Sequence, residues 1–384
     1  MRCTRYQEGT GTVRSFQDTA FLFVSSRSAD TLGRVERRWL RVMAALLERG
    51  ATVFLICTPK AALEEPAHKL GVTIAPYKLD RFNLIRTRSR MRKYLKRYRP
   101  ALAHSTGYEA DVLLRWAAKN LPVRVVSSAI CGSWPPRGMG AFGSWVRRRL
   151  ERDSLRRVDA FFADCADLVE RVVAFGLPRD RVVLDPPGVS LSRVAREAVL
   201  PFSAPTGAPL VGYAGALEHS RGLLVLAAAV PALRAIYPDI RVIVAGEGPA
   251  RARLLPAAAD GRIELLGRVE SAPAVLAALD VCVFPVAEEG TPTSLLEAAA
   301  LGKPIVASAV HGVADLFEDG TEIALVPPGE ASVLAEAILG VLADPAKAAA
   351  MGERARLRLV DQYSSTAAVE RHLSVYRRLI ATLR

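Results

Sequence analysis

The sequence predicts an α/β protein with two doubly wound domains, and two observations carry this prediction. Short apolar runs of strand length recur along the chain and alternate with longer segments whose apolar residues have helical spacing. That alternation is typical of parallel sheets covered by helices on both faces. The chain has 384 residues, which is more than one hydrophobic core accommodates and suits two domains.

The first predicted domain covers residues 19–190 and contains a series of buried strands. We place them at Phe21–Val24, Thr52–Cys57, Val72–Ala75, Leu102–His104, Arg124–Ser128, Ala160–Ala163 and Val182–Leu184. Between the first two strands, residues 35–49 carry apolar side chains at helical spacing, and Gly50 marks the end of that helix. Residues 1–18 are polar and lack the apolar core of a secretion signal, so we expect a loose N-terminal extension.

A second predicted domain follows a linker. Residues 191–209 have no clean periodicity and contain three prolines, which indicates the linker. The domain itself, residues 210–364, contains predicted strands at Leu210–Tyr213, Arg241–Ala245, Ile263–Leu266, Val281–Phe284, Ile305–Ala307 and Ile323–Val326. Residues 365–384 predict a C-terminal helix.

Basic residues are concentrated in two segments of the first domain. The formal net charge is +13, and Arg81–Arg99 holds nine Lys or Arg and no acid, while Arg147–Arg157 holds six Arg against two acids. Such clusters attract anionic surfaces, so they predict peripheral contact with the anionic inner face of a membrane. The alternative is a solvated, arginine-rich surface. Nucleic-acid binding is disfavoured because aromatic stacking platforms are sparse, at 7% of residues.

The cysteine pattern and the lengths of the apolar runs predict a cytoplasmic protein. The five cysteines form an odd set with no close pair, which argues against disulfides and zinc ribbons. The longest uninterrupted apolar run, Leu223–Leu233, is shorter than the roughly 18 residues that a membrane-spanning helix needs. We therefore expect the protein in the cytoplasm, or bound peripherally to the inner face of the cell membrane.

A glycine-containing loop opens the second domain. Residues 212–222 follow the first strand and lead into a helix that begins near Gly222. Small residues such as Gly215 allow the backbone to approach a phosphate, and a helix N-terminus provides free N–H groups and partial positive charge. Arg221 adds a full charge. The pattern predicts a phosphate site, with a tight turn and a surface arginine as the alternative.

A segment later in the second domain has the order strand, loop, helix, strand and carries two glutamates. It predicts a second ligand contact. Asp280–Ala309 contains the strand Val281–Phe284, a polar loop with Glu289, and a short helix from about Ser294 that carries Glu297. Ligands of parallel sheets bind at the carboxyl ends of the strands, and carboxylates there suit hydroxyl-rich groups such as ribose and hexose. The alternatives are that Glu297 only caps the helix in a capping box with Ser294, and that Glu289 is a solvated acid.

The second domain also carries short motifs in a fixed order. They are Ala245–Pro249, Leu266–Val269, Glu289-Gly290 followed by Leu295-Leu296-Glu297-Ala298, and Gly302–Ser308. In this order they resemble the retaining family 4 glycosyltransferases, which have the GT-B fold of two Rossmann-like domains facing a central cleft. The resemblance covers nearly all of the chain from about Thr19 and is densest from Val211 to Ser308. It implies transfer of a sugar from a nucleotide-diphosphate sugar (UDP-, GDP- or ADP-sugar) to an acceptor hydroxyl, with retention, without a cofactor and without a metal.

The resemblance implies specific roles on the donor side of the cleft. Glu297 would hold the ribose hydroxyls, and Glu289 would act as a catalytic residue that holds hydroxyls of the transferred sugar. Arg221 stands where the family has a phosphate-binding lysine, and backbone N–H groups from Gly290 to Leu295 would contact sugar and diphosphate. Arg268 and Val269 would lie near the base. The implied donor-binding set is therefore Gly215, Arg221, Arg268, Val269, Gly290, Thr291, Ser294, Leu295 and Glu297.

On the first-domain side, the resemblance implies a smaller set of residues. Gly33 and Arg34 fall at a glycine turn of the family that faces the donor phosphates or the acceptor. His104 matches a strand end that faces the cleft, which implies a catalytic role; the alternative is a buried histidine with satisfied hydrogen bonds. Three positions depart from the family pattern: Ala216 replaces an arginine, Arg34 a glycine, and Cys131 a histidine that faces the sugar. A cysteine there also suits simple packing as a small hydrophobe.

The resemblance also implies a biological setting and leaves two other functional classes open. The implied process is cell-surface glycan or glycoconjugate biosynthesis, with an acceptor that is lipid-linked or polyanionic. By analogy with the fold, the helix at 365–384 packs back on the first domain. One alternative is a sugar-nucleotide epimerase on the same scaffold. The other is a non-catalytic relative that binds sugar nucleotides or an anionic membrane.

Overall fold

The computed structural model describes residues 16–26, 32–76, 84–130, 134, 140–200, 202, 207–288 and 290–383. The strands of the first half are β1 (Ala20–Ser25), β2 (Thr52–Cys57), β3 (Thr73–Pro76), β4 (Leu102–Thr106), β5 (Arg124–Ala129), β6 (Ala160–Ala163) and β7 (Val182–Leu184). Those of the second half are β8 (Leu210–Ala214), β9 (Arg241–Ala245), β10 (Glu264–Gly267), β11 (Val281–Phe284), β12 (Ile305–Ser308) and β13 (Ala324–Val326).

Helices separate the strands. In the first half they are α1 (Arg34–Glu48), α2 (Glu64–Lys69), α3 (Leu84–Tyr98), α4 (Tyr108–Ala117), α5 (Gly140–Leu155) and α6 (Ala166–Ala174). They continue with α7 (Leu191–Ala198), α8 (Leu223–Ile236), α9 (Arg251–Ala259), α10 (Ala272–Ala278), α11 (Thr293–Ala300), α12 (Ala331–Ala343), α13 (Pro345–Arg358) and α14 (Ser365–Ala381). Each sheet with its helices is called a unit below.

The strands form two parallel sheets, and in each sheet the strand order reverses at one point. The first sheet has the order β3-β2-β1-β4-β5-β6-β7, and the second has the order β10-β9-β8-β11-β12-β13. The strand order reverses between β1 and β4 in the first sheet and between β8 and β11 in the second. Crevices for ligands form outside the carboxyl ends of strands at such switch points. The predicted fold class, two doubly wound α/β units, is confirmed.

The predicted linker contains a helix. Residues 191–198 form α7, and Val194 on its inner face is buried in the core of the second unit. The hydroxyl of Ser271, which caps α10, donates a hydrogen bond to the carbonyl of Glu197 at 2.9 Å. The apolar residues of α7 are few and stand between polar and arginine residues, so their spacing did not predict a helix. Tertiary packing against α10 stabilises it.

The chain crosses between the units twice, at adjacent places. The Val189 N–H donates to the Tyr363 carbonyl at 2.9 Å, and the Ser365 N–H donates to the Val189 carbonyl at 2.7 Å. The second crossing begins α14, which lies on the first unit. Leu373 and Tyr376 of α14 are fully buried in the core that also contains strand β1. The first unit is therefore completed by the last helix of the chain.

Among the described residues, one helical segment has the length and apolar composition of a membrane span. It runs from His219 to Ile236 and includes α8. The buried side chains of α8, among them Leu226, Val230 and Leu233, belong to the hydrophobic core of the second unit. Packing in this core and against α12 and α9 accounts for the apolar residues on the inner face of α8.

Candidate functional site

The loop after β8 has the shape that the glycine pattern predicts. Gly215 and Gly222 have φ angles of +152° and +64°, in the region that favours glycine. A Cβ atom on Gly222 would lie 1.8 Å from the carbonyl oxygen of Pro285, so the loop packs directly against the segment that follows β11. The Ala287 N–H reinforces this contact by donating to the Ser220 carbonyl at 2.8 Å. The turn into α8 at Leu223 is therefore fixed against its neighbour.

Three predicted donor-binding residues meet at the switch point of the second sheet. A Cβ atom on Gly215 would lie 2.9 Å from the hydroxyl oxygen of Ser294 and 2.8 Å from that of Tyr213. Burial raises the pKa of Tyr213, and the positive charge of Arg221 and the hydrogen bond with Ser294 oppose that shift. Arg221 is thus close enough for its charge to act at this point. The glycine loop, the start of α11 and one arginine are thus adjacent at this switch point, where parallel sheets form a ligand crevice and a diphosphate would find positive charge.

The loop before α11 is tied to the loop after β12. The Gly290 N–H donates to the His311 carbonyl at 2.9 Å, and the Thr291 hydroxyl donates to the Gly312 carbonyl at 2.6 Å. The Leu295 N–H donates to the Pro292 carbonyl at 3.2 Å, and the Leu295 side chain is fully buried. The N–H groups of Gly290 and Leu295 therefore already have acceptors within the protein. Their direct contribution to a ligand requires that these bonds be shared or exchanged.

Glu297 is held by an arginine that the sequence analysis did not identify. Its carboxylate is only 7% exposed at residue level and accepts a hydrogen bond from the Arg193 guanidinium of α7. The residue that caps α11 is Pro292, which makes no side-chain cap bond, and Ser294 lies inside the helix. The capping-box interpretation of Glu297 is therefore wrong. Burial raises the pKa of Glu297, and the bond and charge of Arg193 oppose that shift.

The residues expected near the base follow β10. Gly246, at the end of β9, connects them to the crevice: its N–H donates to the Gly267 carbonyl at 2.7 Å, and a Cβ atom on it would lie 1.8 Å from the Gly215 carbonyl oxygen. Arg268 is exposed and Val269 is half-buried against the core. The ends of β8, β9 and β10 are thus adjacent, and the predicted base side lies next to the predicted phosphate turn.

His104 lies in the interior of the first unit instead of the cleft. The imidazole is completely buried; its Nδ1 is 2.5 Å from the Tyr376 hydroxyl, and its Nε2 is 2.6 Å from the Ser128 hydroxyl. Burial, with a smaller effect of the Arg38 charge, lowers the pKa of His104 to about 3, so the ring is neutral at physiological pH. The prediction that His104 faces the cleft is therefore wrong, because α14 covers this strand end with Tyr376. The buried, satisfied histidine is the interpretation that fits.

The other first-unit predictions are only partly described. Gly33 directly precedes α1, with a φ angle of −76° that any residue adopts, and its carbonyl accepts the Arg37 N–H at 3.1 Å. Arg34 is the first residue of α1; its side chain lies outside the described part of the structure. Glu289 and Cys131 also fall outside the described residues. Their assigned roles stay predictions.

A cavity that no sequence motif predicted lies between the two units. Its volume is about 570 Å³, and α1, α7, α11, the start of α14 and the first crossing segment line it. Its charged lining residues are Arg37, Arg38, Arg41, Arg193, Glu197 and Glu297. The only sequence signal for it was the spacing of Arg37 and Arg41, which places both on one face of α1. Glu297 thus connects this cavity to the crevice at Ser294, one turn earlier on α11.

The family model described as "Glycosyl transferase 4-like domain" matches residues 33–188, and the one described as "Glycosyl transferases group 1" matches residues 208–344. Each doubly wound unit is thus matched by one glycosyltransferase domain.

Individual relatives agree with the family models. The chain is 29% identical to the 2-deoxystreptamine N-acetyl-D-glucosaminyltransferase of Streptomyces fradiae, over 91% of each chain. It is 26% identical to the lipopolysaccharide core biosynthesis glycosyltransferase LpsE of Rhizobium meliloti, over 89% of this chain and 95% of the relative. The crystal structure of Anabaena Alr3699/HepE in complex with UDP superimposes with a TM-score of 0.72 at 16% identity, over 93% of this chain and 99% of that one. The chain therefore belongs to the glycosyltransferases of the GT-B fold.

Proposed function

We propose that the protein transfers a sugar from a nucleotide-diphosphate sugar to an acceptor hydroxyl, with retention of anomeric configuration. The observation that carries the proposal is the crevice at the ends of β8 and β11. There Gly215, Ser294 and Arg221 come together, and Glu297 lies one helical turn further along α11. This arrangement offers positive charge and close backbone approach for a diphosphate, and a buried carboxylate for hydroxyl groups.

The donor would lie across the carboxyl edge of the second sheet. Its diphosphate would contact Arg221 and the turn at Gly215, its ribose hydroxyls would donate to Glu297, and its base would lie towards Arg268. Arg221 and the helix starts would stabilise the charge that develops on the leaving diphosphate, so no metal or cofactor is required in this proposal. The relative from Anabaena was crystallised with UDP and with UDP-glucose, which supports a nucleotide sugar as the donor.

We propose that the anomeric configuration is retained because the acceptor attacks the same face of the sugar that the diphosphate leaves. The bond between the anomeric carbon and the diphosphate oxygen breaks, the acceptor oxygen forms a bond to the same carbon, and the acceptor proton passes to the leaving phosphate. Glu289 would hold hydroxyls of the transferred sugar during this step. The curated relatives act, by their names, on 2-deoxystreptamine and in lipopolysaccharide core biosynthesis, which supports glycoconjugate or glycan synthesis as the setting.

The ribose contact is the sharpest test of the donor site. Isothermal titration with UDP-, GDP- and ADP-sugars should identify one nucleotide class that binds. Glu297→Gln should weaken that binding about 10- to 100-fold, because a hydrogen bond to a charged group contributes about 1.5–3 kcal/mol. Glu353→Gln is the matched control, since Glu353 is an exposed glutamate paired with Arg356 on α13.

Three results would contradict the proposal. Equal nucleotide affinity in Glu297→Gln and the unaltered protein would remove Glu297 from the ribose site. If none of the three nucleotide sugars binds, a non-catalytic relative becomes the better hypothesis. If a nucleotide sugar binds and is converted to its epimer without transfer, the epimerase alternative is correct. Product analysis by NMR, which reports both the anomeric configuration and the sugar identity, distinguishes these cases.

We also propose that the protein is cytoplasmic and binds the anionic inner face of the membrane through the first unit. Helices α3 and α5 both pack beside α4. Arg88, Lys93 and Lys96 of α3 are exposed, and Trp145 of α5 is 62% exposed next to a run of arginines. Basic side chains around an exposed tryptophan suit the headgroup region of an anionic bilayer. An acceptor linked to a lipid would be within reach of such a bound enzyme.

Vesicle sedimentation tests the membrane contact. The protein should bind vesicles that contain an anionic phospholipid and lose that binding at high salt. The triple change Arg88→Gln, Lys93→Gln, Lys96→Gln should reduce binding severalfold, because each basic residue near the surface contributes about 1 kcal/mol. Arg253→Gln, Arg262→Gln, Arg356→Gln in the second unit is the control with the same change of charge. Equal binding to neutral vesicles, or none to anionic ones, would contradict this contact.

A further inference from the structure

The cavity between the units contains more positive charge than its own acids neutralise. The Arg38 guanidinium forms an ion pair with the buried carboxylate of Asp185 and donates a hydrogen bond to the Asp185 carbonyl. Arg193 is shared between Glu197 and Glu297. These two arginines account for all the acidic groups that line the cavity. The two further arginines, both on α1, form no ion pair with an acidic residue in the described part of the chain.

Those two arginines face the cavity from the first unit. Among the described residues, the Arg37 guanidinium donates only to the Leu32 carbonyl, at 2.8 and 3.2 Å. Arg41, one turn further into the helix and half-buried, makes no hydrogen bond or ion pair with the residues that the structure describes. Burial and the charges of Arg193 and Arg37 lower the pKa of Arg41. A partly buried cation in this position is costly unless an anion joins it.

We propose that Arg37 and Arg41 form an anion subsite that holds a phosphate or phosphate-ester group of a ligand in the cleft. Guanidinium groups bind phosphate through paired, charge-assisted hydrogen bonds, and two of them on one helix face converge on a single anion. The volume of about 570 Å³ accommodates a larger molecule than free phosphate. Glu297 on the opposite wall accepts hydrogen bonds from hydroxyl groups, so the ligand class is a phosphorylated sugar, polyol or nucleotide. This inference deepens the proposed function and rests on it for the identity of the cleft.

Two ligands would supply this chemistry. The phosphate group belongs either to the nucleotide donor or to a separate molecule, such as a phosphorylated acceptor. In the first case the subsite draws α1 towards the donor and favours closure of the units. In the second case it selects the acceptor. Both use the same guanidinium groups, so one set of variants addresses both.

The experiment titrates inorganic phosphate into the protein by calorimetry, with thermal unfolding in parallel. The unaltered protein should bind phosphate and gain thermal stability. Arg37→Gln, Arg41→Gln should bind phosphate at least about tenfold more weakly, yet unfold at the same or a higher temperature in phosphate-free buffer, because like-charge repulsion is removed. Arg234→Gln, Arg253→Gln on α8 and α9, outside the cavity, is the control for loss of two charges. The unfolding temperature in phosphate-free buffer shows whether each variant is folded, so weaker phosphate binding is not confused with a loss of stability.

A second titration identifies the source of the phosphate. If saturating UDP displaces phosphate from the unaltered protein, the subsite serves the donor. If phosphate binds equally well with UDP present, it serves another ligand. The inference is overturned if the double variant binds phosphate as the unaltered protein does, or if phosphate does not bind at all. These results are independent of Glu297→Gln, whose effect on nucleotide affinity tests the proposed function separately.

Discussion

The two sheets of this protein have the same winding, but their carboxyl edges are used differently. In the second sheet, Gly215, Ser294 and Arg221 lie together at the switch point between β8 and β11, where we place the donor. In the first sheet, the switch point lies between β1 and β4, and His104 of β4 is fully buried there. The difference arises from α14, whose Tyr376 occupies the position beside His104 that a ligand would otherwise need.

Polar groups at the two edges consequently have different partners. At the first edge, Ser105 donates to Asp111 at 2.6 Å, and Arg115 binds Glu151 at 2.6 Å and Ser127 at 3.0 Å, all in the interior. At the second edge, Gly222 packs against the Pro285 carbonyl and Gly215 against the hydroxyls of Tyr213 and Ser294, so backbone and short polar side chains form this edge. A polar residue at a strand end therefore indicates a ligand site only where no other element of the chain covers it.

The largest expected effect concerns the carboxyl edge of the first sheet, which α14 covers and which we call the closed edge. Arg115→Met should destabilise the first unit by about 3–5 kcal/mol, because it leaves the buried carboxylates of Asp111 and Glu151 without a cation. Nucleotide affinity in the second unit should not change. Urea unfolding with hydrogen exchange resolved by segment measures both units. A loss below about 1 kcal/mol would show that the interior pairs are not needed, and any equal loss of nucleotide affinity would contradict the separation of the two edges.

The carboxyl edge of the second sheet, where we place the donor and which we call the open edge, should be most sensitive to substitution at Gly222. Gly222→Ala places a Cβ atom 1.8 Å from the Pro285 carbonyl oxygen, at a φ angle of +64°. We expect a cost of about 2–4 kcal/mol from overlap and backbone strain, together with loss of nucleotide binding, because the turn must shift. Gly261→Ala is the control, since its φ angle is +74° but no atom lies within 4 Å of the added Cβ. Similar results for both variants would mean that strain alone, and not the contact with Pro285, shapes the crevice.

His104→Gln tests whether the closed edge has any catalytic use. It should cost about 1–3 kcal/mol of stability, from the bonds to Ser128 and Tyr376, and leave nucleotide affinity unchanged. Tyr376→Phe removes one of the same bonds and serves as the matched variant. Because its pKa is about 3, His104 should contribute no titration between pH 5 and 8. If His104→Gln folds normally and binds the donor but fails to transfer sugar, His104 has a catalytic role after all.

The smallest effect is a pH dependence of donor binding at the open edge. The pKa of Glu297 is raised by burial, so its carboxylate becomes protonated at a higher pH than an ordinary glutamate as pH falls. Nucleotide affinity, measured between pH 8 and 5, should therefore decrease as the pH falls. Arg193→Gln removes the bond and charge that lower this pKa, so the decrease should begin at a higher pH. Calorimetry across this range measures the midpoint, and an unchanged midpoint in Arg193→Gln would contradict the role given to the Arg193–Glu297 pair.

Local patterns in the sequence were sufficient for the framework of the fold. Strands such as Thr52–Cys57 and Val281–Phe284 have the bounds predicted from their apolar runs, and the turn at Gly222 begins a helix as expected. These features depend on interactions within about a dozen residues, which periodicity and glycine positions report directly. The short helix α7 escaped prediction because its stability comes from contacts with α10.

The sequence by itself determined the two doubly wound sheets, the glycine turn and the residue types available for a sugar-nucleotide site. The tertiary structure alone decided which of those residues are free for a ligand. Arg193 meets Glu297 from 104 positions away, and Tyr376 meets His104 from 272 positions away. No local pattern reports such distances, since a polar group takes whichever partner the packed chain brings within hydrogen-bond reach and is buried only if another element covers it.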